Sequence, residues 1–353
     1  MENNLSFKNF YNFDDRLKKI WENLEKEGDC YIFQKYQYTY NLVKAFNINF
    51  CIFSVIYDND KPIAIFPFEI KTLKKVRILQ WLGSNLNDYN CPIILNQDIF
   101  SNKNFINIWK QILNSIRDFD IIYLNKQPEF IEKISNPFVK YLYNENHSCA
   151  YQLQLKRLEN DDLDFLKNKK FKNEFNRTRK KLLEGNNISF DANYIENKEN
   201  LIENIVLKKI SNLEKRKISH SLNRNLITFL KNLLKLYPKK IIVSTLKINK
   251  EIIARNIGIF DNKRFHYYMP VIFSEKYNSF SPGKLLIHEL IKWSRKNNIS
   301  IFDFGIGEEV YKKYWSNDFM KIFKHIDYRG LKGFIFFYIL KCYFNMKIFS
   351  RKP

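Results

Sequence analysis

The sequence predicts an α+β protein of two similar lobes, each a mostly antiparallel mixed sheet flanked by helices. Three observations lead there. The chain has 353 residues and is 45% hydrophobic, enough to bury two ordinary cores. Its second half runs through a three-stranded meander into a helix and a further strand. Its first half repeats that order in outline. The lobes are expected at 1–148 and 149–332, with 333–353 as a basic aromatic tail.

In the first half, apolar periodicity predicts helices at Asp14–Glu27 and Tyr36–Phe46 and strands at Phe50–Tyr57, Pro62–Lys71 and Val76–Leu82. A helix at Asn102–Arg117 and a short strand at Asp120–Leu124 follow. The second half opens with a strand, Tyr151–Leu155, and a basic helix from about Asp161 to Glu184. Helices at Asn200–Lys217, with Ile202, Val206, Ile210 and Leu213 on one face, and Asn223–Tyr237 come next. Strands Ile241–Ile248, Ile252–Phe260 and Arg264–Phe273 are separated by the turn-like Asn249-Lys250 and Asp261-Asn262, so they read as an antiparallel meander. The period then becomes helical through Leu286, Leu290 and Trp293, ending near Asn297. A short strand at Ser300–Phe304 lies about 180 residues after its counterpart in the first half. A glycine turn, a helix at Tyr311–Trp315 and a last strand near Lys321–Tyr328 complete the second lobe.

The five cysteines are scattered and form no CxxC pair, which argues against a zinc or dithiol site and for a reducing compartment; no metal is expected. Met1–Asp15 lacks the apolar core of a secretory signal. The apolar tail Gly333–Phe349 is interrupted by Lys341, Asn345 and Lys347, too often for a membrane span. It could pack on the domain or lie in a membrane interface. A cytoplasmic location follows, peripheral to the inner membrane face in the second case. The formal charge of +22 attracts phosphates on a cofactor, a nucleic acid or an anionic membrane. Lysine, asparagine, isoleucine and phenylalanine are abundant throughout, so much of that excess is accounted for by solvated surface.

The most informative stretch is Tyr267–Trp315. Ser281 can cap a helix, Pro282 suits its first position, and Gly283 lets another group approach the backbone. Lys284 adds a full charge to the partial one of the helix end, which makes an anion site; a well-capped helix without a ligand explains the same residues. Among titratable groups here are His266, Asp303, Glu308 and Glu309. Asp303, between Phe302 and Phe304, is either a buried carboxylate with a raised pKa or a structural residue bonded to the following turn. His266, in an alternating strand, is a packed or exposed imidazole or a catalyst. Gly305 and Gly307 shape a tight turn.

The basic helix FNRTRKKL, the loop SPGKLL and the segment DFGIGEEVYKKYW resemble the BioF2-like or CelD-like acetyltransferase domain of the GNAT superfamily, over Asn173–Trp315. Phe33-Gln34, PIAIFPFEI and LGSNLNDYNCPII resemble it more faintly in the first half. That family is related to the FemABX peptidyltransferases, which are built from two GNAT-like lobes. The resemblance implies direct transfer of an acyl group from acetyl-CoA or another acyl-CoA, without a covalent enzyme intermediate, to an amine or hydroxyl. It places the donor's pyrophosphate at Ser281, Gly283 and Lys284, and the donor-contacting strand at His266–Phe273, with Met269 and Val271 on either side of Pro270, which lacks an N–H. Tyr311 and Lys312 look like the aromatic-lysine pair of the FemABX site: Tyr311 would protonate the leaving group or pack, and Lys312 would stabilise developing charge or be surface charge. Asp303 and Glu308 remain candidates for the proton. Gln34, Asp88 and Tyr89, with His266, are the implied acceptor-binding residues. The first lobe has no second SPGK-like loop, since Asn102-Lys103-Asn104 opens its helix, so one donor site is expected. The cationic face of Lys172, Arg177, Arg179, Lys180 and Lys181 is a solvated surface or a phosphate contact.

The acceptor is then a small-molecule or lipid-linked glycan precursor of the cell envelope. An aminoacyl-tRNA donor, as in FemABX enzymes, is the alternative, and a non-catalytic basic protein binding nucleic acid or membrane is the third reading.

Overall fold

A computed structural model of the protein describes residues 5–95, 100–157, 163, 165–220 and 222–349. The chain forms two compact units, one made of Met1–Ser148 with Lys321–Pro353, the other of Cys149–Met320.

Unit 1 begins with strand β1 (Leu5–Phe10), helices α1 (Asp15–Glu27) and α2 (Tyr36–Phe46), and strands β2 (Cys51–Asp58), β3 (Lys61–Leu73), β4 (Val76–Trp81) and β5 (Ile93–Ile94). It continues with α3 (Asn102–Ser115), β6 (Ile121–Pro128), a small hairpin of β7 (Phe130–Ile131) and β8 (Ile134–Ser135), and α4 (Pro137–Tyr141). Helix α1 starts where the Asp14 carboxylate accepts the Leu17 N–H at 2.7 Å and buries Leu17, Trp21 and Leu24 along one stripe. Strands β2 and β3 meet in a turn whose two central residues, Asn59 and Asp60, both have positive φ, the backbone of a tight hairpin. The sheet runs β1-β2-β3-β4-β6, antiparallel up to β4, with β6 parallel to β4 only at Ile78↔Ile121 and Leu79↔Ile122.

The sixth strand of this unit is β15 (Asp318–Tyr328), which pairs antiparallel with β6 from Ile322↔Pro128 to Tyr328↔Ile121. The expectation that Lys321–Tyr328 closes the second lobe is corrected accordingly. Helix α10 (Gly330–Phe349) follows β15. Arg329 holds its start by donating to the carbonyls of Ile116 and Leu113 at 2.7 and 2.6 Å. Lys332 reaches the Asp120 carboxylate at 3.0 Å. The tail was expected as a unit of its own from 333; its described part instead continues the helix that begins at Gly330.

Unit 2 contains the end of β9 (Glu145–Gln154), α5 (Lys169–Leu183), β10 (Ile188–Asp191), α6 (Lys198–Lys215) and α7 (Arg224–Leu236). Then come β11 (Ile241–Ile248), β12 (Glu251–Asp261), β13 (Arg264–Ile272), α8 (Pro282–Lys296), β14 (Ile301–Ile306) and α9 (Val310–Trp315). Asn168 caps α5 by accepting the Phe171 N–H at 2.9 Å, so the helix starts later than its charge pattern suggests; Asp161 lies outside the described residues. The meander turns at Asn249-Lys250 and, one residue later than expected, at Asn262-Lys263, all four with positive φ. The sheet order is β10-β11-β12-β13-β14-β9, with β14 parallel to β13 and the other neighbours antiparallel.

Each unit therefore repeats one pattern: four antiparallel strands, a crossover helix, a parallel fifth strand, and an antiparallel sixth. In unit 2, Ile242, Leu246 and Ile248 of β11 join Phe171 and Phe175 of α5, Leu286 and Leu290 of α8, and Trp315 of α9 in one core. Side chains alternate along a strand, so α6, which packs on β11–β13 outside that cluster, covers the other face, and α7 packs on α6.

Candidate active site

Strand β13 and strand β14 pair in parallel only from Arg264↔Ile301 to His266↔Asp303. Beyond that point β13 runs on to Ile272 without β14, and the two strands part. On its β12 side β13 carries one extra residue at the same level, the three steps from His266 to Met269 facing the two from Ile259 to Ile257, which is a bulge in β13. The opening is the feature around which the candidate residues are arranged.

The edge of β13 that faces the opening follows from its ladder. The Phe273 N–H donates to the Ile253 carbonyl at 2.8 Å. Bonded pairs alternate in an antiparallel ladder, so Val271 and Met269, opposite Arg255 and Ile257, also turn their backbone groups to β12. This corrects the expectation that Met269 and Val271 contact a donor: their amides belong to the sheet and their side chains are buried. Pro270 and Ile272 turn the other way. Their carbonyls accept from two side chains of α6, Lys209 Nζ at 3.2 Å and Asn212 Nδ2 at 3.0 Å. Neither residue stood out in the sequence, because a lysine and an asparagine beside an apolar helical stripe look like ordinary surface.

Across the opening, α9 carries Tyr311 and Lys312. Trp315, fully buried against the rings of Phe171 and Phe175 at 5.7 and 5.4 Å, anchors that short helix to α5. Lys312 is 4% exposed. Its ammonium donates to the Ile306 carbonyl at 2.7 Å and pairs with the Glu309 carboxylate at 2.9 Å. Lys313 is exposed and reaches Glu308 at 3.4 Å. Glu308 is likewise exposed. Tyr311 is half-buried beside Phe304, and burial together with the Glu309 charge raises its pKa. Burial and the neighbouring Tyr311 do the same to Tyr267. Both phenols stay protonated at neutral pH.

Asp303 is fully buried. Its carboxylate accepts from Arg264 Nη1 and from the Gly305 N–H, each at 2.8 Å. The structure therefore places it in a buried ion pair that fixes the turn after β14, and not as a proton carrier. Gly305, at φ 69°, turns the chain there. His266 is 2% exposed and lies 3.7 Å from the same carboxylate; burial lowers its pKa to about 4. It is a neutral core imidazole, which corrects its expected role as an acceptor contact.

Helix α8 begins next to the opening. Ser281 takes a left-handed backbone (φ 53°) and makes no side-chain cap, contrary to expectation; its carbonyl instead accepts the Lys284 and Leu285 N–H groups at 2.9 and 3.3 Å. A Cβ built on Gly283 would touch only Ile272 Cδ1, at 3.7 Å, so the first turn is open to a ligand. Lys284 pairs with Glu174 of α5 at 3.3 Å and lies 5.0 Å over the Phe171 ring, so its charge is already answered. The fit to an anionic donor rests on the helix end and Gly283.

In unit 1 the corresponding parting of β4 and β6 is filled. The Asn90 N–H donates to the Lys126 carbonyl at 2.9 Å, and Lys126 Nζ reaches back to the Asn87 carbonyl at 2.7 Å. Asn90 Nδ2 bonds the carbonyls of Ser84 and Asn125. Tyr89 is fully buried, its ring 4.7 Å from that of Tyr31, and its carbonyl accepts from buried Gln34 at 2.7 Å. Tyr89 and Gln34 are thus core residues and not the expected acceptor contacts. Asp88 is half-buried beside Lys126; burial lowers the Lys126 pKa, and the Asp88 charge works against that.

Residues 169–313 match the family model described as an acetyltransferase (GNAT) domain, and the two units are tandem GNAT-like lobes. Solved structures similar to the whole chain include FemX (TM-score 0.57, 8% identity, covering 91% of this chain and 97% of that one). Another is the C-terminal domain of a putative lysylphosphatidylglycerol synthetase from Agrobacterium fabrum (0.52, 8%, 87% and 90%). A third is a tandem GNAT protein from the clavulanic acid biosynthesis pathway (0.51, 10%, 92% and 99%). At such identities the likeness is one of fold. Comparison with curated proteins gives no match.

Proposed function

We propose that this chain is an acyltransferase that moves an acyl group from acyl-CoA to an amine or hydroxyl of a sugar or cell-envelope precursor by direct attack, with no covalent enzyme intermediate. The observation that carries the reading is the opening between β13 and β14 within the GNAT-matched segment, with the Lys312 ammonium buried beside it and the Tyr311 phenol kept protonated. Direct attack needs both substrates held together, a stabilised oxyanion and a protonated leaving group. Lys312 supplies positive charge for the oxyanion, and Tyr311 a proton for the departing thiolate. The start of α8 at Gly283 holds the donor's phosphates.

The acceptor class rests on similarity to FemX and to a putative lysylphosphatidylglycerol synthetase. In this reading the acceptor is a lipid-linked or small-molecule precursor, and α10 brings the protein to an anionic membrane surface. Leu331, Ile335 and Ile339 of that helix are more than half exposed, and no described helix is long and apolar enough to cross a membrane. An aminoacyl-tRNA donor is the second reading, favoured by the net charge of +22 and by Arg177, Lys180 and Lys181 exposed on α5.

The two donors are separable. Calorimetric titration with coenzyme A, followed by thiol release from acetyl-CoA in the presence of amino-sugar and lipid-linked acceptors, supports the first. Transfer of a labelled amino acid from charged tRNA supports the second. Salt-sensitive binding to nucleic acid or vesicles, without turnover of either donor, defeats both.

A further inference from the structure

The Lys209 ammonium sits at the edge of β13 where that strand has left β14, held 3.2 Å from the Pro270 carbonyl. We propose that Lys209 is the general base of the transfer, accepting the proton of the acceptor's amine or hydroxyl as it attacks the acyl carbonyl; this rests on the acyltransferase reading above.

Position is the first reason. Lys209 reaches the opening from α6, while Tyr311 and Lys312 reach it from α9, so a base and the groups that handle the oxyanion and leaving group come from opposite sides of one gap. Asn212, one helical turn along, holds the Ile272 carbonyl at 3.0 Å and so fixes the same helix face against the strand.

The charge environment is the second. Lys209 is largely withdrawn from water, and it shares one counter-charge with another cation. Glu309, just before α9, favours its ammonium form, whereas Lys312 of α9 and Arg216, just after α6, oppose it. Glu309 is already 2.9 Å from Lys312. Burial is the largest influence and acts with the two cations to lower the Lys209 pKa, which is the direction a lysine base requires.

The third reason is that the other proton acceptors here are committed. Asp303 is locked to Arg264, His266 is enclosed in the core, and Glu308 lies on the surface with Lys313. In the balanced step the acceptor nitrogen or oxygen bonds to the acyl carbon and the bond from that carbon to the donor's sulfur (or ester oxygen) breaks. The acceptor's proton passes to the neutral Lys209 amine, and the leaving group takes one from Tyr311. Solvent returns the proton from Lys209 to Tyr311.

The test compares wild type with Lys209→Met and Lys209→Arg, after circular dichroism and thermal unfolding establish that each variant is folded. Arginine keeps the charge and the hydrogen-bonding capacity but cannot act as a base. With a donor–acceptor pair that wild type turns over, both variants are expected to lose about 100-fold to 10,000-fold in kcat, to bind the donor with unchanged affinity, and to lose the acidic limb of the pH–rate profile. In parallel, wild type methylated with 13C-formaldehyde and titrated by NMR should show, beside those of Lys126 and Lys198, a lysine resonance of lowered pKa that is absent from Lys209→Arg. Rescue by arginine, or an unchanged acidic limb, overturns the base and leaves the acyltransferase reading standing. An ordinary lysine titration at Lys209 does the same. Failure of wild type to turn over any donor defeats that reading, and the base with it.

Discussion

The Lys312 ammonium and the Glu309 carboxylate stand 2.9 Å apart across one turn of α9, directly over Gly307. A Cβ at Gly307 would collide with Glu309 Oε2 and come within 2.9 Å of Lys312 Nζ, at a backbone φ of +134°. The pair and the bare glycine are therefore one arrangement. Gly307→Ala should displace the pair and strain the turn, costing about 1 to 3 kcal/mol of stability and most of the turnover. Urea unfolding and steady-state kinetics check both, and a variant with wild-type stability and rate would separate the glycine from the pair.

Lys312 and its neighbour Lys313 offer an internal control, since one is buried and the other exposed with Glu308. Lys312→Ala is expected to lose about 30-fold to 1,000-fold in kcat while binding donor normally. Lys313→Ala should stay near wild type. Equal rates in the two folded variants would reduce Lys312 to a structural contact of the Ile306 carbonyl.

Gly283→Glu tests the start of α8. The backbone has room for a side chain there, with only Ile272 Cδ1 nearby, so the fold should survive while the added carboxylate repels phosphates. Coenzyme A affinity measured by calorimetry should fall by at least tenfold, about 1.4 kcal/mol. Unchanged affinity rules the loop out as the donor site.

His266 makes stability depend on pH. Its folded pKa, about 4, lies below the ordinary value near 6.5, so the unfolded chain binds the extra proton. The contribution is complete above about pH 6.5 and is lost as pH falls toward 4, to a total of about 3 kcal/mol. Denaturant midpoints at pH 7, 5.5 and 4 should fall more steeply for wild type than for His266→Gln. Parallel pH dependences would place the acid sensitivity elsewhere.

Helix α10 should carry the protein to anionic bilayers. Ile335→Glu combined with Ile339→Glu places charge on its exposed apolar surface and should abolish co-sedimentation with phosphatidylglycerol vesicles while leaving that with neutral vesicles at background. Retained binding to the anionic vesicles would assign the attraction to surface charge alone.

The order of strands and helices was legible because apolar periodicity and turn residues are local signals: the meander Ile241–Phe273 and the crossover helix after it could be read directly. Pairing partners were not. Nothing in Lys321–Tyr328 says that it will lie beside Ile121–Pro128, since a strand's own pattern carries no address. The site was legible in part for the same reason. The motif singled out Tyr311 and Lys312, whose part in the chemistry is the proposal made above, but the ion pair that occupies Asp303 depended on Arg264, 39 residues away in sequence. Tyr89 and Gln34 sat in a resemblant motif, yet their burial together depends on a loop folding into the parting of β4 and β6. Lys209 carried no local mark at all.

The placement of β15 has a consequence for synthesis. Emerging from a ribosome, unit 1 has its first five main strands long before the one that covers β6, because all of Cys149–Met320 is translated in between. Until then the edge of β6 stays exposed to other chains. A fragment ending at residue 320 would keep that open edge permanently, so cutting the chain after the GNAT-matched segment should yield a protein that self-associates, even though unit 2 would be intact.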